Sequence, residues 1–236
     1  MDSSFRFRRF SVSNERSALK VGTDAVLLGA AMTVRGSDEH LLDIGTGTGV
    51  IALMAAQRLS DMKSIFSIDA IDIDCPSAEE AAQNFASSPW SGNLSAAHTA
   101  LSGFRPQTRY DHIFSNPPYF DNSLVNPDAR ETAARHTESL SYREICAFSS
   151  EFLSENGILS LILPSDCGKQ LLRTAASFGL FPFRLLRIRT TLRKLPKRLV
   201  AEFSRLRQEV SEEELVLQEN GERSAAYRQL TEEFYL

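Results

Sequence analysis

The sequence is poor in residues that bind metals or form disulfides. It has three cysteines, without a Cys-x-x-Cys pair, and four histidines that lie far apart. Cysteines in this number and spacing are typical of reduced thiols in a cytoplasm, and the scattered histidines form no recognisable ligand set. We therefore expect a cytoplasmic protein without a metal site.

Long apolar runs are also missing. One apolar run, Ile158 to Leu163, is interrupted by Ser160, and none approaches the roughly 20 apolar residues that a membrane helix needs. Aromatic and basic residues alternate from Phe5 to Phe10, without the continuous apolar stretch of a secretion signal. The sequence therefore predicts a protein that is neither embedded in a membrane nor exported.

The apolar content is enough for one substantial core. With 236 residues, of which 42% are hydrophobic, the chain suits one α/β domain and is short for two. Neither an internal repeat nor a low-complexity linker divides it. We expect residues 1–236 to form a single domain, in which 39–236 are the core and 1–38 add a hairpin and a helix.

Strands and helices alternate along the core. The predicted strands are His40 to Ile44, Ile65 to Ile71, Asn93 to His98, Tyr110 to Ser115 and Ile158 to Leu163. The predicted helices are Val50 to Ala56, Ser77 to Phe85 and about Tyr142 to Ser154, the last ending near Asn156-Gly157. Because parallel strands need such crossover helices, this order predicts a mostly parallel, doubly wound, Rossmann-like sheet.

Both ends of the chain extend this sheet. Antiparallel strands at one edge are predicted at Phe181 to Ile188, Arg198 to Phe203 and Glu214 to Leu217, with a closing helix from Tyr227 to Tyr235. Near the N-terminus, Phe5 to Val12 predicts a hairpin. A helix is expected to start near Thr23-Asp24, where either side chain can cap free amides.

A glycine-rich loop follows the first core strand and opens the first core helix. It reads Gly45-Thr46-Gly47-Thr48-Gly49, and a loop in this position offers backbone N–H groups to a ligand carboxylate or phosphate. Asp43 precedes it, and Asp72 ends the next strand, where a carboxylate can accept hydrogen bonds from ribose hydroxyls. The combination favours a bound nucleoside; the alternative is a tight turn without a ligand.

The second motif is Asn116-Pro117-Pro118-Tyr119, after the fourth core strand. Its position at the carboxyl edge of the sheet is where such folds bind ligands. Asn116 offers a side-chain carbonyl, Pro117 offers a backbone carbonyl, and Tyr119 can stack on a base. Two acceptors suit the two protons of one planar amino group, such as that of adenine. The alternative is a simple strand terminator.

Basic residues concentrate in one part of an acidic chain. The net charge is −4, yet nine of the residues from Arg184 to Arg207 are basic and only Glu202 is acidic. Such a stretch can be a docking surface for phosphate, and its alternative is a solvated face that keeps edge strands soluble.

The two motifs in this order resemble those of the class I amino-methyltransferases, which use S-adenosylmethionine. More specifically, the chain is similar to the bacterial tRNA valine adenine N6-methyltransferase family. The segments that carry this resemblance are Phe7 to Val12, Lys20 to Ala30, Ser88-Pro89-Trp90 and Ala226 to Leu236. The resemblance covers nearly the whole chain and implies the class I methyltransferase fold, with an N-terminal hairpin and helix that cap the cofactor site.

The resemblance implies a methyl donor, an acceptor and the residues that hold them. The donor is S-adenosylmethionine, and the acceptor is the adenine 3′ of the anticodon in a valine tRNA. Asn116, Pro117 and Tyr119 are the implied catalytic residues. The implied cofactor-binding residues are Lys20, Gly22, Thr23, Asp43, Gly45, Thr46, Gly47, Gly49, Asp72, Ile73, Leu101 and Asn116.

One position departs from the family pattern. Many relatives carry, where Leu101 stands, an aspartate that contacts the adenine amino group of the cofactor, so Ser102 replaces that contact or the contact is lost. For the substrate we expect Pro118 at the base, Arg135 in a lid-like segment, and phosphate contacts from Arg193, Lys194, Lys197 and Arg198. We expect a monomer that acts on tRNA and needs neither a metal nor a membrane.

Three alternatives share these motifs. A protein glutamine N5-methyltransferase presents the same planar amino group, but the segment 1–38 is too short for the helical domain that such enzymes usually carry. A ribosomal RNA guanine N2-methyltransferase also fits, because the four-residue motif does not identify the base. The third is an RNA-binding protein that keeps the fold without the chemistry, and Leu101 is its only support.

Overall fold

The fold is built on one large β-sheet. A computed structural model describes residues 4–17, 20–118 and 141–236. The eight strands of the main sheet are β3 (His40–Ile44), β4 (Ser67–Asp72), β5 (Leu94–His98), β6 (Tyr110–Ser115), β7 (Leu153–Pro164), β8 (Phe181–Arg189), β9 (Arg198–Ser204) and β10 (Ser211–Val216). Two short antiparallel pairs lie outside it, β1 (Phe5–Arg6) with β2 (Ser11–Val12) and β11 (Gln218–Glu219) with β12 (Glu222–Arg223).

The strand order is β10-β8-β9-β7-β6-β3-β4-β5. The first five core strands pair in parallel, as the alternation of strands and helices predicted. Of the strands described in this sheet, β9 alone runs against the others, because it pairs antiparallel with both β7 and β8. The predicted antiparallel edge is therefore confirmed for β9 and wrong for β10, which pairs in parallel with β8.

Helices cover both faces of the sheet, which gives the doubly wound arrangement. The helices are α1 (Thr23–Ala31), α2 (Val50–Asp61), α3 (Cys75–Ala86), α4 (Tyr142–Phe152), α5 (Gly168–Ser177) and α6 (Ala225–Thr231). Apolar residues of α1, α2 and α3 belong to one core cluster, and those of α4 and α5 belong to the other. The parallel strands are buried on both sides, which explains why they read as continuous apolar runs.

The junction between α4 and β7 differs from the prediction. The helix ends at Phe152 and the strand begins at Leu153, so Gly157 lies within the strand rather than at a helix C-terminus. A β-carbon on Gly157 would lie 2.8 Å from the carbonyl oxygen of Tyr110 on β6. The glycine is therefore explained by the close approach of two strands, next to a register shift between Tyr110 and His112.

The two ends of the chain pack together. The backbone N–H of Arg8 donates to the carbonyl of Phe234 at 2.9 Å, and Arg8 Nε donates to the carbonyl of Tyr235 at 2.6 Å. The rings of Phe7 and Tyr235 stack with their centroids 6.2 Å apart. The pairing of β1 with β2 confirms the predicted hairpin, and α6 confirms a closing helix, which ends at Thr231 rather than at Tyr235. In the described ranges, none of the helices combines the length and apolarity that a membrane crossing requires.

Candidate functional site

The two motifs meet at the carboxyl edge of the sheet. Because β3 and β6 are parallel neighbours, the residues that follow them leave the sheet side by side. The Ser115 hydroxyl donates to the Ile44 carbonyl at 2.6 Å and joins the two strand ends directly. Asn116 is half-buried, Pro117 is buried and Pro118 is exposed. The predicted residues Tyr119 and Arg135 lie outside the described residues.

The glycine loop is fastened to β4. The N–H groups of Gly45 and Thr46 both donate to the Ile71 carbonyl, at 2.8 and 3.1 Å. Gly47 has a φ of 57°, in the left-handed region that favours glycine, and its N–H donates to Asp72 Oδ2 at 2.8 Å. The structure therefore brings the loop and its predicted acidic partner into direct contact.

The last glycine of the loop has a steric requirement of its own. Gly49 is the N-cap residue of α2 with a φ of 81°, and a β-carbon there would lie 2.5 Å from the ring of Phe85 on α3. Any larger residue would have to displace that buried ring. The loop is therefore held between β4 and α3, with the N-terminus of α2 pointing at the space above the sheet edge.

Asp43 is a buried carboxyl with one oxygen engaged. Its Oδ2 accepts a hydrogen bond from the Thr46 hydroxyl at 2.7 Å, and its Oδ1 is buried without a hydrogen-bond donor in the described part of the chain. Burial raises the pKa of Asp43 to about 7, the hydrogen bond from Thr46 opposes this, the charge of Asp72 adds to it, and the backbone N–H of Ala52 near the start of α2 lowers it, although this N–H does not reach Oδ1 with hydrogen-bond geometry. A buried acceptor without a donor suits a ligand amino group.

Asp72 has the surroundings expected of a ribose acceptor. Burial raises its pKa, while the N–H groups of Asp74 and Gly47 hold it down. Each oxygen accepts one of these backbone hydrogen bonds, at 2.9 and 2.8 Å, and has further lone pairs. Next to it the Ile73 side chain is 55% exposed, which is unusual for isoleucine and offers an apolar contact for a planar ring.

The predicted cofactor residue Leu101 is packed into the core. Leu101 begins a short 3-10 turn after β5, and its side chain is buried in the apolar cluster that includes Ile44 and Ile71. Ser102 beside it is exposed. The imidazole Nε2 of His98 lies 3.0 Å from the Ile73 carbonyl oxygen, which fixes the backbone next to Asp72.

The predicted N-terminal cofactor residues lie just before α1. Lys20 is exposed, and its Nζ donates to the Glu15 carbonyl at 2.7 Å. The cap residue of α1 is Gly22, without a side-chain capping bond, so the expected capping role of Thr23 or Asp24 is wrong. Thr23 is exposed, and Asp24 instead accepts a hydrogen bond from Arg198 at 2.7 Å.

The basic stretch divides into paired and unpaired residues. Ion pairs with acids engage Arg184, Arg187, Arg189 and Arg198. Arg205 donates to two backbone carbonyls, and Arg207 lies over the ring of Phe181 at 4.2 Å. These residues join the edge strands to the rest of the fold, which neither interpretation of the basic stretch predicted.

Three cations are left over, and they lie close together. Arg193, Lys194 and Lys197 are exposed and form no ion pair with any described residue. They belong to the segment 190–197 between β8 and β9, which we call the basic loop. The basic loop leaves the sheet at the same edge as Asn116, because β8 runs in the direction of β6. Leu192 and Leu195 in it are 64% and 82% exposed.

Sequence reasoning missed two polar residues that border the glycine loop. Glu80 and Asn84 on α3 are 1% and 4% exposed, and Asn84 Nδ2 donates to the Thr48 carbonyl at 2.8 Å. Their only signal in the sequence is a polar pair four residues apart, which is also typical of an exposed helix face. No group of three or more metal-ligating side chains occurs in the ranges that the structure describes.

Comparisons with known proteins agree with the family resemblance of the sequence. The family model of the methyltransferase small domain matches residues 16–178. A Bacteroides fragilis protein named tRNA1(Val) (adenine(37)-N6)-methyltransferase is 41% identical, over 98% of this chain and 97% of its own length. Proteins of the same name from Flavobacterium psychrophilum and Tolumonas auensis are 39% and 38% identical, each over at least 97% of both chains.

Solved structures agree on the fold. A predicted O-methyltransferase from Agrobacterium tumefaciens superposes with a TM-score of 0.68, at 16% identity, over 89% of this chain and 96% of its own. A methyltransferase from Pyrococcus furiosus gives a TM-score of 0.59, at 18% identity, over 82% and 89%. The fold is therefore the Rossmann-like fold of class I methyltransferases, and this chain belongs to the methyltransferase small domain family and, within it, to the group of proteins named tRNA1(Val) (adenine(37)-N6)-methyltransferase.

Proposed function

We propose that this protein transfers a methyl group from S-adenosylmethionine to the N6 atom of an adenine in tRNA, the adenine 3′ of the anticodon in a valine tRNA. The single observation that carries the proposal is the hydrogen bond from Ser115 to Ile44, at 2.6 Å. It holds the start of the Asn-Pro-Pro motif against the start of the glycine loop, so that an acceptor and a methyl donor can meet between them.

The chain's residues fit the proposed cofactor. The Asp43 oxygen that has no donor suits the amino group of the methionine part, and Asp72 suits the ribose hydroxyls. The exposed side chain of Ile73 suits one face of the adenine ring. Gly45, Gly47 and Gly49 allow the close approach, while Lys20, Gly22 and Thr23 border the site from the N-terminal side. When bound, S-adenosylmethionine supplies a methyl group on a sulfonium.

The acceptor is oriented by the Asn-Pro-Pro motif. The Asn116 side-chain carbonyl and the Pro117 carbonyl accept hydrogen bonds from the two protons of the adenine amine, which favours a tetrahedral nitrogen with its lone pair directed at the methyl group. A nitrogen–carbon bond then forms as the sulfur–carbon bond breaks, and the surplus proton leaves to water. The motif thus needs no dedicated base, and Pro118 and Tyr119 enclose the base.

The basic loop suits the phosphates of neighbouring nucleotides. Adjacent strands are about 4.8 Å apart and rise about 3.3 Å per residue, and Arg198 pairs with Pro164 whereas Ser115 pairs with Leu161, so the start of β9 lies about 14 Å from the end of β6. Arg193, Lys194 and Lys197 are therefore near enough to contact the same stem-loop while its adenine is splayed into the pocket. Because Arg198 forms an ion pair with Asp24, we propose that it holds the start of β9 against α1 rather than contacting phosphate.

The names of the relatives support adenine in tRNA over the alternatives, protein glutamine and ribosomal RNA guanine. The similarity to them covers 98% of this chain. The proposal includes a monomer and a cytoplasmic location, where tRNA is found. Arg135 stays a proposed substrate contact on the strength of the sequence alone.

Methyl transfer to total tRNA tests the proposal. The protein is incubated with tritiated S-adenosylmethionine and unmodified tRNA, and the labelled nucleoside is identified after digestion. We expect N6-methyladenosine in valine tRNA. Label in a guanosine, or in a protein substrate offered in parallel, would contradict the proposal, and so would the absence of S-adenosylmethionine binding by calorimetry at high micromolar concentration.

A further inference from the structure

We infer that Glu80 and Asn84 are positioning residues for cofactor binding, which act by fastening the N-terminal segment, of which the structure describes residues 13–17 and 20–24, against the glycine loop. The inference rests on the proposed function of that loop. Neither residue is among those predicted to touch the cofactor. Their effect is transmitted through the backbone of the N-terminal segment and through Thr48, one residue before the N-cap of α2.

Glu80 holds the beginning of the segment through its backbone. Its Oε1 accepts hydrogen bonds from the N–H groups of Glu15 and Arg16, at 2.7 and 2.9 Å, and its Oε2 accepts one from Ser17 at 2.8 Å. Burial acts to raise the pKa of Glu80, but these backbone donors lower it below its ordinary value, so the carboxylate is charged. Three successive amides converging on one buried carboxylate fix the path of the segment.

Asn84 connects the segment to the glycine loop. Its Oδ1 accepts from the N–H of Ser13 at 2.7 Å, and its Nδ2 donates to the carbonyls of Ser13 and Thr48, at 3.1 and 2.8 Å. One buried amide thus bonds both to the segment and to the loop. Movement of either one strains the hydrogen bonds of the other.

The other end of the segment is fastened to β9. The N–H of Val21 donates to Asn14 Oδ1 at 3.1 Å, which ties the two described parts of the segment together, and Asp24 pairs with Arg198 at the start of β9. The described residues are therefore attached to α3 through 13–17 and to β9 through Asp24. Lys20 and Gly22, the proposed cofactor contacts, lie between these attachment points, so their position depends on both of them.

The energetic cost of burying the Glu80 carboxylate favours a role in cofactor binding over a role in packing alone. A buried carboxylate is costly unless donors replace its hydration, and among the described residues every donor to Glu80 comes from a segment of irregular backbone. An apolar residue would bury α3 at less cost. The buried charge of Glu80 is explained if cofactor binding requires the N-terminal segment at one fixed position beside the glycine loop.

The test compares Glu80→Gln with Glu79→Gln. Glu79 is the neighbouring residue on α3 and forms an ion pair with Arg16 of the same segment, but its side chain is 52% exposed. Calorimetry with S-adenosylmethionine is run on the full chain, at a temperature where circular dichroism shows each variant to be folded. We expect the Kd to rise about tenfold or more for Glu80→Gln, because charge-assisted backbone bonds are lost, and to change less than twofold for Glu79→Gln.

Two further measurements separate positioning from general destabilisation. At saturating S-adenosylmethionine the kcat of folded Glu80→Gln stays within twofold of wild type, so that the defect appears in KM alone. Amide exchange at residues 13–17 slows when cofactor is added to the wild type and does not slow in Glu80→Gln. Asn84→Ala repeats the test if Glu80→Gln does not fold.

The outcomes also distinguish this inference from the proposed function. If folded Glu80→Gln and Asn84→Ala bind S-adenosylmethionine as tightly as the wild type, the inference is wrong and the proposed function stands. If the wild type itself binds no S-adenosylmethionine, the proposed function fails first. A tenfold loss in both variants, with an unchanged Glu79→Gln, establishes the positioning role even if the tRNA substrate proves to be different.

Discussion

Arg198 donates from Nε to Asp24 Oδ2 at 2.7 Å, which joins the first residue of β9 to the first turn of α1 across 174 positions of sequence. This pair changes the interpretation of the basic stretch. The sequence predicts that Arg198 contacts phosphate together with Arg193, Lys194 and Lys197. The ion pair assigns Arg198 to the fold and leaves three neighbouring cations for a nucleic acid.

Three cations of the basic loop form no ion pair with a described residue, and replacing them is expected to weaken tRNA binding through the loss of charge alone. Each phosphate contact contributes about 0.7 to 0.9 to the slope of log K against log salt concentration. Changing Arg193, Lys194 and Lys197 together to Ala should therefore lower that slope by up to about 2 to 3. Fluorescence anisotropy with labelled tRNA at several salt concentrations measures it.

The matched control is Lys63→Asn, at the end of α2 away from the carboxyl edge. Lys63 is exposed and has a φ of 57°, a conformation that asparagine tolerates. We expect this variant to keep the wild-type slope. An unchanged slope in the triple variant would remove the basic loop from the tRNA surface.

The exposed leucines of the basic loop give a second prediction, with a different salt signature. Leu195 is 82% exposed on a loop that is fixed by backbone bonds, such as the 2.8 Å bond from the Lys197 N–H to the Ile188 carbonyl. An apolar side chain here can contact a base that is unstacked when the adenine is splayed out. Leu195→Ser should weaken tRNA binding by roughly threefold to tenfold without altering the salt slope.

The control for this prediction is Leu206→Ser. Leu206 is 60% exposed and follows β9 at the opposite edge of the sheet, because β9 runs against its neighbours. The same substitution there should leave tRNA affinity unchanged. Equal affinities for Leu195→Ser and the wild type would show that the leucine does not contact the RNA.

A third prediction concerns stability. Glu202 on β9 is fully buried and accepts hydrogen bonds from the backbone N–H and hydroxyl of Thr33, from Ser160 and from Arg184, at 2.7 to 2.9 Å. Glu202→Ala leaves several buried donors without an acceptor and should lower the free energy of unfolding by about 3 to 5 kcal/mol. Urea denaturation of the full chain measures the change.

Glu212→Ala is the comparison for that prediction. Glu212 also pairs with an arginine of β8, Arg187, but its side chain is 60% exposed. An exposed ion pair contributes only about 0 to 1 kcal/mol, so this variant should remain close to the wild type. Similar losses in Glu202→Ala and Glu212→Ala would refute the idea that burial makes the difference.

The elements that were predictable are those with a local signature. The bounds of β3 and β6 agree with the sequence prediction, because an apolar run between turn residues is visible in the sequence itself. The glycine loop and the Asn-Pro-Pro motif follow those two strands directly. Their meeting at one edge follows from parallel pairing, which the crossover helices require.

What the sequence did not reveal depends on contacts between distant residues. The donors to Glu80 come from residues 63 to 67 positions away, and neither end of such a bond has a characteristic pattern. The direction of β10 also has no local signal, since a mostly polar and exposed edge strand shows no pattern that fixes its direction. Gly157 was misleading, because a glycine at a close strand contact resembles one that ends a helix.

The chemistry of the Asn-Pro-Pro motif gives a fourth prediction. Asn116→Ala removes the side-chain carbonyl that orients the adenine amine and should lower kcat by about a hundredfold to a thousandfold. Asn116 is also an implied cofactor contact, so binding of S-adenosylmethionine should weaken, but by less than kcat falls, because Asp43 and Asp72 are unchanged. Asn156→Ala, on β7 at the opposite edge, should leave kcat unchanged. Wild-type turnover in Asn116→Ala would rule out the proposed orientation of the acceptor.

The last prediction concerns Asp43 and pH. Its pKa in the folded protein is about 7, above the ordinary value of 3.8, so the protonated form is favoured by folding. The stability that this provides is fully present below pH 3.8 and is lost as the pH rises through 7. A ligand amino group at the buried oxygen favours the ionised form instead. Cofactor binding should therefore release a proton near neutral pH.

The affinity for S-adenosylmethionine should accordingly increase with pH. With a pKa of about 7 for Asp43, the Kd at pH 6 should be about tenfold higher than at pH 8, because only about a tenth of the molecules carry the ionised carboxylate at pH 6. Asp43→Asn cannot titrate at this position, so its weaker affinity should be nearly constant over the same range. Calorimetry in buffers of different ionisation enthalpy counts the released proton directly. A wild-type Kd that is as independent of pH as that of Asp43→Asn would show that the Asp43 carboxyl does not bind the amino group.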